Sequence, residues 1–269
     1  MIEPGIRSVV KAKYDRGECV MANKNDVQAR VCVLLAGMIL VFAQAGFGQT
    51  PESAENQPAP KDATTVPSVV FIPETGHVKV GEVEIDPVAH RIQFPAEINM
   101  QEGLLEYAIV ADRGKLHESL LSTDVDPLHV QVALTLLGLK GRPDKSLEPN
   151  PAEPVGEKLR IEVEWTGPDG TLFRKRLEQM ITDQSSGKAM RDMQWVFTGS
   201  RIVDGVLMVL QERSLVAIYR DSLAMIENPL PEAIDDTIWF VRTSEVPSVG
   251  TPVKVTMVAQ AQETSIATY

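Results

Sequence analysis

Apolar and polar positions change rhythm several times along this chain, and each change predicts an element. The first apolar cluster is Val69-Val70-Phe71-Ile72. From His77 to Ile85 apolar residues then alternate with charged ones, which predicts a strand with one face buried and the other wet. Asp86-Pro87 punctuates, and Arg91 to Phe94 reads as the returning partner of a hairpin. Leu104 to Ala111 grows more apolar toward its end, as a central strand does. Leu159, Ile161, Val163 and Trp165 alternate with Arg160, Glu162 and Glu164, and Gly167-Pro168-Asp169-Gly170 turns this strand back into Thr171 to Arg176. That hairpin sets Glu162 and Glu164 against Arg174 or Arg176. Further short strands are predicted over 194–198, 201–203, 206–210, 215–219, 237–242 and 252–258, with a turn at Asp204-Gly205.

One stretch keeps a different rhythm. Asp126 is a good N-cap and Pro127 suits the first helical position, so a helix is expected over about 126–139. Inside it only His129, Gln131 and Thr135 are polar, which requires cover on most sides. Many strands with one prominent buried helix predict an α+β fold, mainly antiparallel, with few other helices. Pro143, Pro149, Pro151 and Pro154 interrupt the chain over 141–156, the one internal boundary and a possible split into two subdomains. Tyr107-Ala-Ile-Val and Trp195-Val-Phe-Thr form a faint echo between the two halves.

The first 67 residues follow neither rhythm. Val31 to Phe42 is a twelve-residue apolar run preceded by Lys24 and Arg30 and followed by Ala43-Gln44-Ala45, the pattern of an export signal over residues 1–45. As a helix the run covers about 18 Å, short of the roughly 30 Å that a membrane span requires. The acidic residues before Lys24 favour translation from Met21. Residues 46–67 hold few large apolar side chains and read as a flexible tether, residues 68–260 as the ordered domain and residues 261–269 as a tail.

Composition then narrows the chemistry. The only cysteines, Cys19 and Cys32, fall in the leader segment, so the exported product would carry no thiol, disulfide or iron–sulfur cluster. Net charge is −11, and the loss of residues 1–45 would make it −13. No basic run offsets this, which argues against nucleic acid as a partner.

Candidate chemistry concentrates in Arg113-Gly114-Lys115-Leu116-His117-Glu118-Ser119. On a strand, Lys115, His117 and Ser119 would share one face. Lys115, His117, Glu118 and Ser119 are therefore the candidate binding residues. His117-Glu118 begins like the zinc-binding His-Glu-x-x-His, but position 121 is Leu121. A looser divalent-metal site would gather His117 and His129 with Glu118, Asp124 or Asp126. Gly138 to Ser146 lacks the glycine before lysine that a phosphate loop needs, and no dinucleotide fingerprint or nucleophile elbow is present. Carboxylate pairs such as Asp235-Asp236 and Glu82/Glu84 are expected by chance in so acidic a chain. Trp165, Trp195 and Trp239 lie in apolar strand patterns and read as core.

The run Phe94-Pro95-Ala96, Gly103-Leu-Leu-Glu-Tyr107, Gly114-Lys115-x-His117-Glu118-Ser119-Leu-Leu121 and Pro127-x-His129-Val130-x-x-Ala133-Leu134 through Gly138 resembles the YdjY family of exported bacterial proteins. Trp195-Val-Phe-Thr-Gly199-Ser200, Leu215-Val-Ala-Ile-Tyr219 and Asn228-Pro229 resemble the later part of the same pattern. Together they cover most of residues 77–258 and imply one long domain. The resemblance implies a fold loosely described as ferredoxin-like and a role without assigned catalytic residues. The functional expectation is an exported protein of the periplasm, cell envelope or extracellular space that binds an envelope protein or small ligand. No cofactor is expected, and the alternative is a metal-assisted hydrolase or redox accessory using His117, His129 and nearby carboxylates.

Overall fold

The computed structural model describes residues 67–142 and 153–260. The expected leader, the tether up to residue 66, the tail and most of the proline-rich segment lie outside the described residues.

The described chain opens with β1 (Val69–Ile72), β2 (His77–Val80), β3 (Val83–Asp86) and β4 (Arg91–Ile98), each antiparallel to the one before. The strand expected over 77–85 is thus a hairpin folded at Gly81-Glu82. Gly81 has φ +57°, and a Cβ there would lie 2.2 Å from the His129 imidazole, so only glycine fits. Next come β5 (Tyr107–Ala111), β6 (Ser119–Thr123) and α1 (Pro127–Leu136). Asp126 caps α1 by accepting the Leu128 N–H at 2.8 Å, and the helix stops before Gly138, which has φ +99°.

After the proline-rich segment follow β7 (Glu157–Thr166), β8 (Leu172–Arg176), β9 (Ile181–Asp183), β10 (Lys188–Ala189) and β11 (Trp195–Phe197). β12 (Ile202–Val203) and β13 (Val206–Leu207) form the small hairpin expected at Asp204-Gly205, but the strand read to Leu210 turns into a short helix, α2 (Met208–Glu212). β14 (Ser214–Ala217), β15 (Ile226–Glu227), β16 (Trp239–Val241) and β17 (Pro252–Ala259) complete the domain.

Eight strands close on themselves in the order β4-β17-β7-β11-β15-β14-β5-β6, and the pairs Glu97↔Ser122 and Ile98↔Leu121 join β6 back to β4. This closed barrel overturns the α+β expectation. The predicted helix exists but does not form a layer across a sheet. It packs against β2, β3 and α2 beside the barrel. The apolar faces of the strands are buried by curvature, because a sheet that closes on itself supplies its own second face.

The ring has an internal two-fold in its topology. β5 lies antiparallel to β14 at one seam, and β7 antiparallel to β17 at the other. Moving away from the β5/β14 seam, each side meets a parallel neighbour (β6, β15) and then an antiparallel one (β4, β11). In chain order β4, β5, β6 and β7 recur as β11, β14, β15 and β17. The echo of Tyr107-Ala-Ile-Val therefore sits in β14, not in the Trp195 strand.

Each parallel pair is joined by a short crossover, residues 112–118 and 218–225. Parallel neighbours usually need a dozen or more residues between them. Here the strands to be retraced are four or five residues long, roughly 13–17 Å, which seven or eight residues can span.

Candidate functional site

The crossover 112–118 carries every candidate binding residue or abuts it. Gly114 donates its N–H to Ala111 O at 3.0 Å, and a Cβ at this position would meet that oxygen at 2.9 Å. Leu116 to Glu118 form a single 3₁₀ turn rather than strand. The expected common face of Lys115, His117 and Ser119 is therefore lost, because a three-residue turn sends successive side chains in different directions.

Lys115 points back over the barrel wall. Its Nζ donates to the Tyr107 hydroxyl at 2.5 Å and lies 4.6 Å above the same ring. Tyr107 in turn donates to Asp221 Oδ2 at 2.8 Å, and Lys115 Nζ is 3.6 Å from Asp221 and 3.8 Å from Glu212. Burial, then the Asp221 carboxylate, pushes the Tyr107 phenol far above its ordinary value. The phenol stays protonated and relays a hydrogen bond from a cation to an anion. Because Asp221 belongs to the second crossover, this chain ties the two crossovers together.

Ser119 is fully buried as the first residue of β6, and its hydroxyl donates to Lys115 O at 2.5 Å. Asn99 Nδ2 donates to Leu116 O and Ser119 O, both at 2.6 Å, clamping the turn from β4's end. Glu118 is mostly covered and faces Glu106, whose carboxyl is held above its ordinary value by burial and then by Glu118 and Asp236. His117 is much the most open of the four, with Lys115 about a third exposed. The His117 side chain is 80% exposed, and Nε2 stands 3.4 Å from Glu118 Oε2.

The structure does not bring the two candidate metal ligands together. His117 precedes the first residue of β6, whereas His129 follows its last residue and packs on the Gly81 turn. Five-residue β6 alone separates those ends by about 13 Å. Among the described residues no group of three or more His, Cys, Asp or Glu is arranged to hold a metal ion. An acidic cleft of about 170 Å³, lined by Glu82, Glu97, Ser122 and Asp124, and a groove of about 440 Å³, lined by Lys158, Arg160, Arg176 and Pro229, both lie away from Lys115 and His117.

Sequence reading missed the partners that give the crossovers their shape. Tyr107 was visible only as strand, and nothing local marks Asp221, Glu212 or Asn99. The second crossover has its own clamp, in which Asn228 Nδ2 donates to Ile218 O and Asn228 Oδ1 accepts the Leu230 N–H, both at 2.9 Å. Beside it Arg142 pairs with Glu227 at 2.6 Å, with only 9% and 1% of the two side chains exposed. Burial raises the Glu227 carboxyl, while Arg142 and Arg220 pull against that rise.

Fold and site together define a closed β-barrel domain in which Lys115 and Ser119 of the motif are hydrogen-bonded within the domain. The chain belongs to the YdjY family: the family model, described as a YdjY domain, matches residues 83–258, well over half of the chain. No curated protein and no solved structure matches it. No helix among the described residues is long and apolar enough to cross a membrane.

Proposed function

We propose that this protein is exported and acts as a non-enzymatic binding module of the cell envelope, with the surface around His117 as its contact point. One observation carries the reading. Within the run that marks the family, Lys115 is engaged by Tyr107 and Asp221, and the Ser119 hydroxyl by Lys115 O. What the same turn offers to solvent is an imidazole and the half-exposed Leu116, groups that suit recognition. Export rests on the leader over residues 1–45.

Two measurements test this. Cell fractionation with N-terminal sequencing should place the protein outside the cytoplasm, beginning near Gly46. Cross-linking in intact cells followed by mass spectrometry should give a reproducible envelope partner that the double variant His117→Ala/Leu116→Ala loses and the remote variant Val88→Ala keeps. Equal capture by all three proteins would remove the His117 surface from consideration.

A further inference from the structure

The barrel closes, but the sheet continues past it. β1, β2 and β3 extend from β4, and β8 hangs on β7, so among the described residues the extended sheet retains two edges, β1 and β8. An open edge is a template for another strand, and proteins normally guard it with charge. β8 is guarded in this way. Arg174, Lys175 and Arg176 follow one another along it, paired with Glu164, Glu245 and Asp192.

β1 carries no guard. Between Pro67 and Pro73 no residue is charged, and Val69-Val70-Phe71-Ile72 is apolar on both faces, as interior strands are. Val70 is 52% exposed and Phe71 37%. The register fixes which backbone groups are left over. Gly81 N–H donates to Ser68 O across the pair Ser68/Gly81, so by alternation Val70 and Ile72 also point their backbone groups at β2. Val69 and Phe71 therefore direct N–H and C=O outward. Among the described residues β2 is the one strand paired with β1, so these outward groups have no ladder partner.

We infer that β1 is completed by the β1 of a second copy of this chain, antiparallel across a two-fold axis at Val70. The symmetry selects that register. A two-fold perpendicular to the sheet pairs residues of equal parity, and centring it on Val70 sets Val69 opposite the partner copy's Phe71 and Phe71 opposite its Val69. All four outward groups on each side then find partners in four ladder hydrogen bonds. Phe71 meets a β-branched residue on one face, and Val70 meets Val70 on the other, both favourable cross-strand pairs. The charge balance points to the same strip. Two copies of a chain of net charge −11 repel broadly, and the uncharged run Pro67–Pro73 is where their backbones can approach without opposing carboxylates.

The test uses the full chain as recovered from cells. Sedimentation should show a dimer that dissociates on dilution, and Val70→Lys, which places two ammonium groups face to face, should weaken association at least tenfold. Val70→Thr, which keeps β-branching, should still dimerise, and buried Trp195 and Trp239 report by fluorescence that each variant is folded. In a Cys19→Ser/Cys32→Ser background, Val70→Cys should oxidise to a disulfide-linked dimer, because non-hydrogen-bonded partners sit at about 4.5 Å between Cα atoms, whereas Phe71→Cys should not. A protein that stays monomeric throughout the micromolar range overturns the proposal. So does a dimer indifferent to Val70→Lys, or a monomer whose Val69 and Phe71 amides resist hydrogen exchange, since its own chain would then cover the edge.

Discussion

The two walls of this barrel obey different rules. In β4 and β7, and in β17 apart from buried Thr256, buried residues alternate with exposed or half-exposed ones, and the outer side carries a polar ladder in which Gln93 Nε2 donates to Thr256 at 2.9 Å and Glu164 sits between Arg174 (2.6 Å) and Lys254 (2.7 Å). In β5, β6, β14 and β15 every residue is buried on either face. The first wall meets water, and its ion pairs add little to stability. The second is covered by the crossovers, so each polar group in it needs an internal partner. What one wall leaves to solvent, the other must build.

The largest expected effect tests that difference directly. Leu121→Ala, in the fully buried wall at the closing seam, should lower unfolding free energy by about 2–5 kcal/mol in chemical denaturation. Lys254→Ala on the exposed outer ladder should cost under about 1 kcal/mol. A similar loss at both positions would erase the distinction. Next comes the relay between crossovers. Tyr107→Phe strands Asp221 and Lys115 without their shared hydroxyl and should cost about 1–3 kcal/mol, while a double-mutant cycle with Asp221→Asn should show strong non-additivity.

The smallest effects separate the walls by pH. Hydrogen bonds from Lys254 and Arg174 hold the Glu164 carboxyl below its ordinary 4.5, so the unfolded state takes up the proton first. Its stabilisation is present above pH 4.5 and is lost as pH falls through the folded value; Glu164→Gln should cost about 0.2–1 kcal/mol at neutral pH and nothing in acid. Glu227 should behave oppositely. Burial raises its carboxyl, so its contribution is full below 4.5 and is lost as pH rises through the folded value. Stability of Glu227→Gln, followed by urea titrations at several pH values, should fall less than wild type over that rise.

The same division explains how much was legible. The outer-facing wall announced itself: alternation fixed β7, and the hairpin at Gly167 put Glu164 on Arg174 as expected, although Arg176 turns instead to Glu178, Asp192 and Met193 O. The helix was legible from Asp126-Pro127. Closure was not, because strands buried on both faces carry no period that names a partner, and β4 meets β17 across more than 150 residues. At the candidate site the sequence placed the right segment but not its shape. Lys115 and His117 look equivalent in a string, and only Tyr107 and Asp221, brought in from elsewhere, pull one inward and leave the other out.

The position of β17 between β4 and β7 sets an order of events during synthesis. Both of those strands are made long before the one that joins them, so a nascent chain stopped short of Pro252 has an open cylinder with two raw flanks. The domain withholds its final shape until its last strand has been delivered. For a polypeptide that must thread through a membrane channel before it compacts, as the proposed export requires, that delay is an advantage written into the topology.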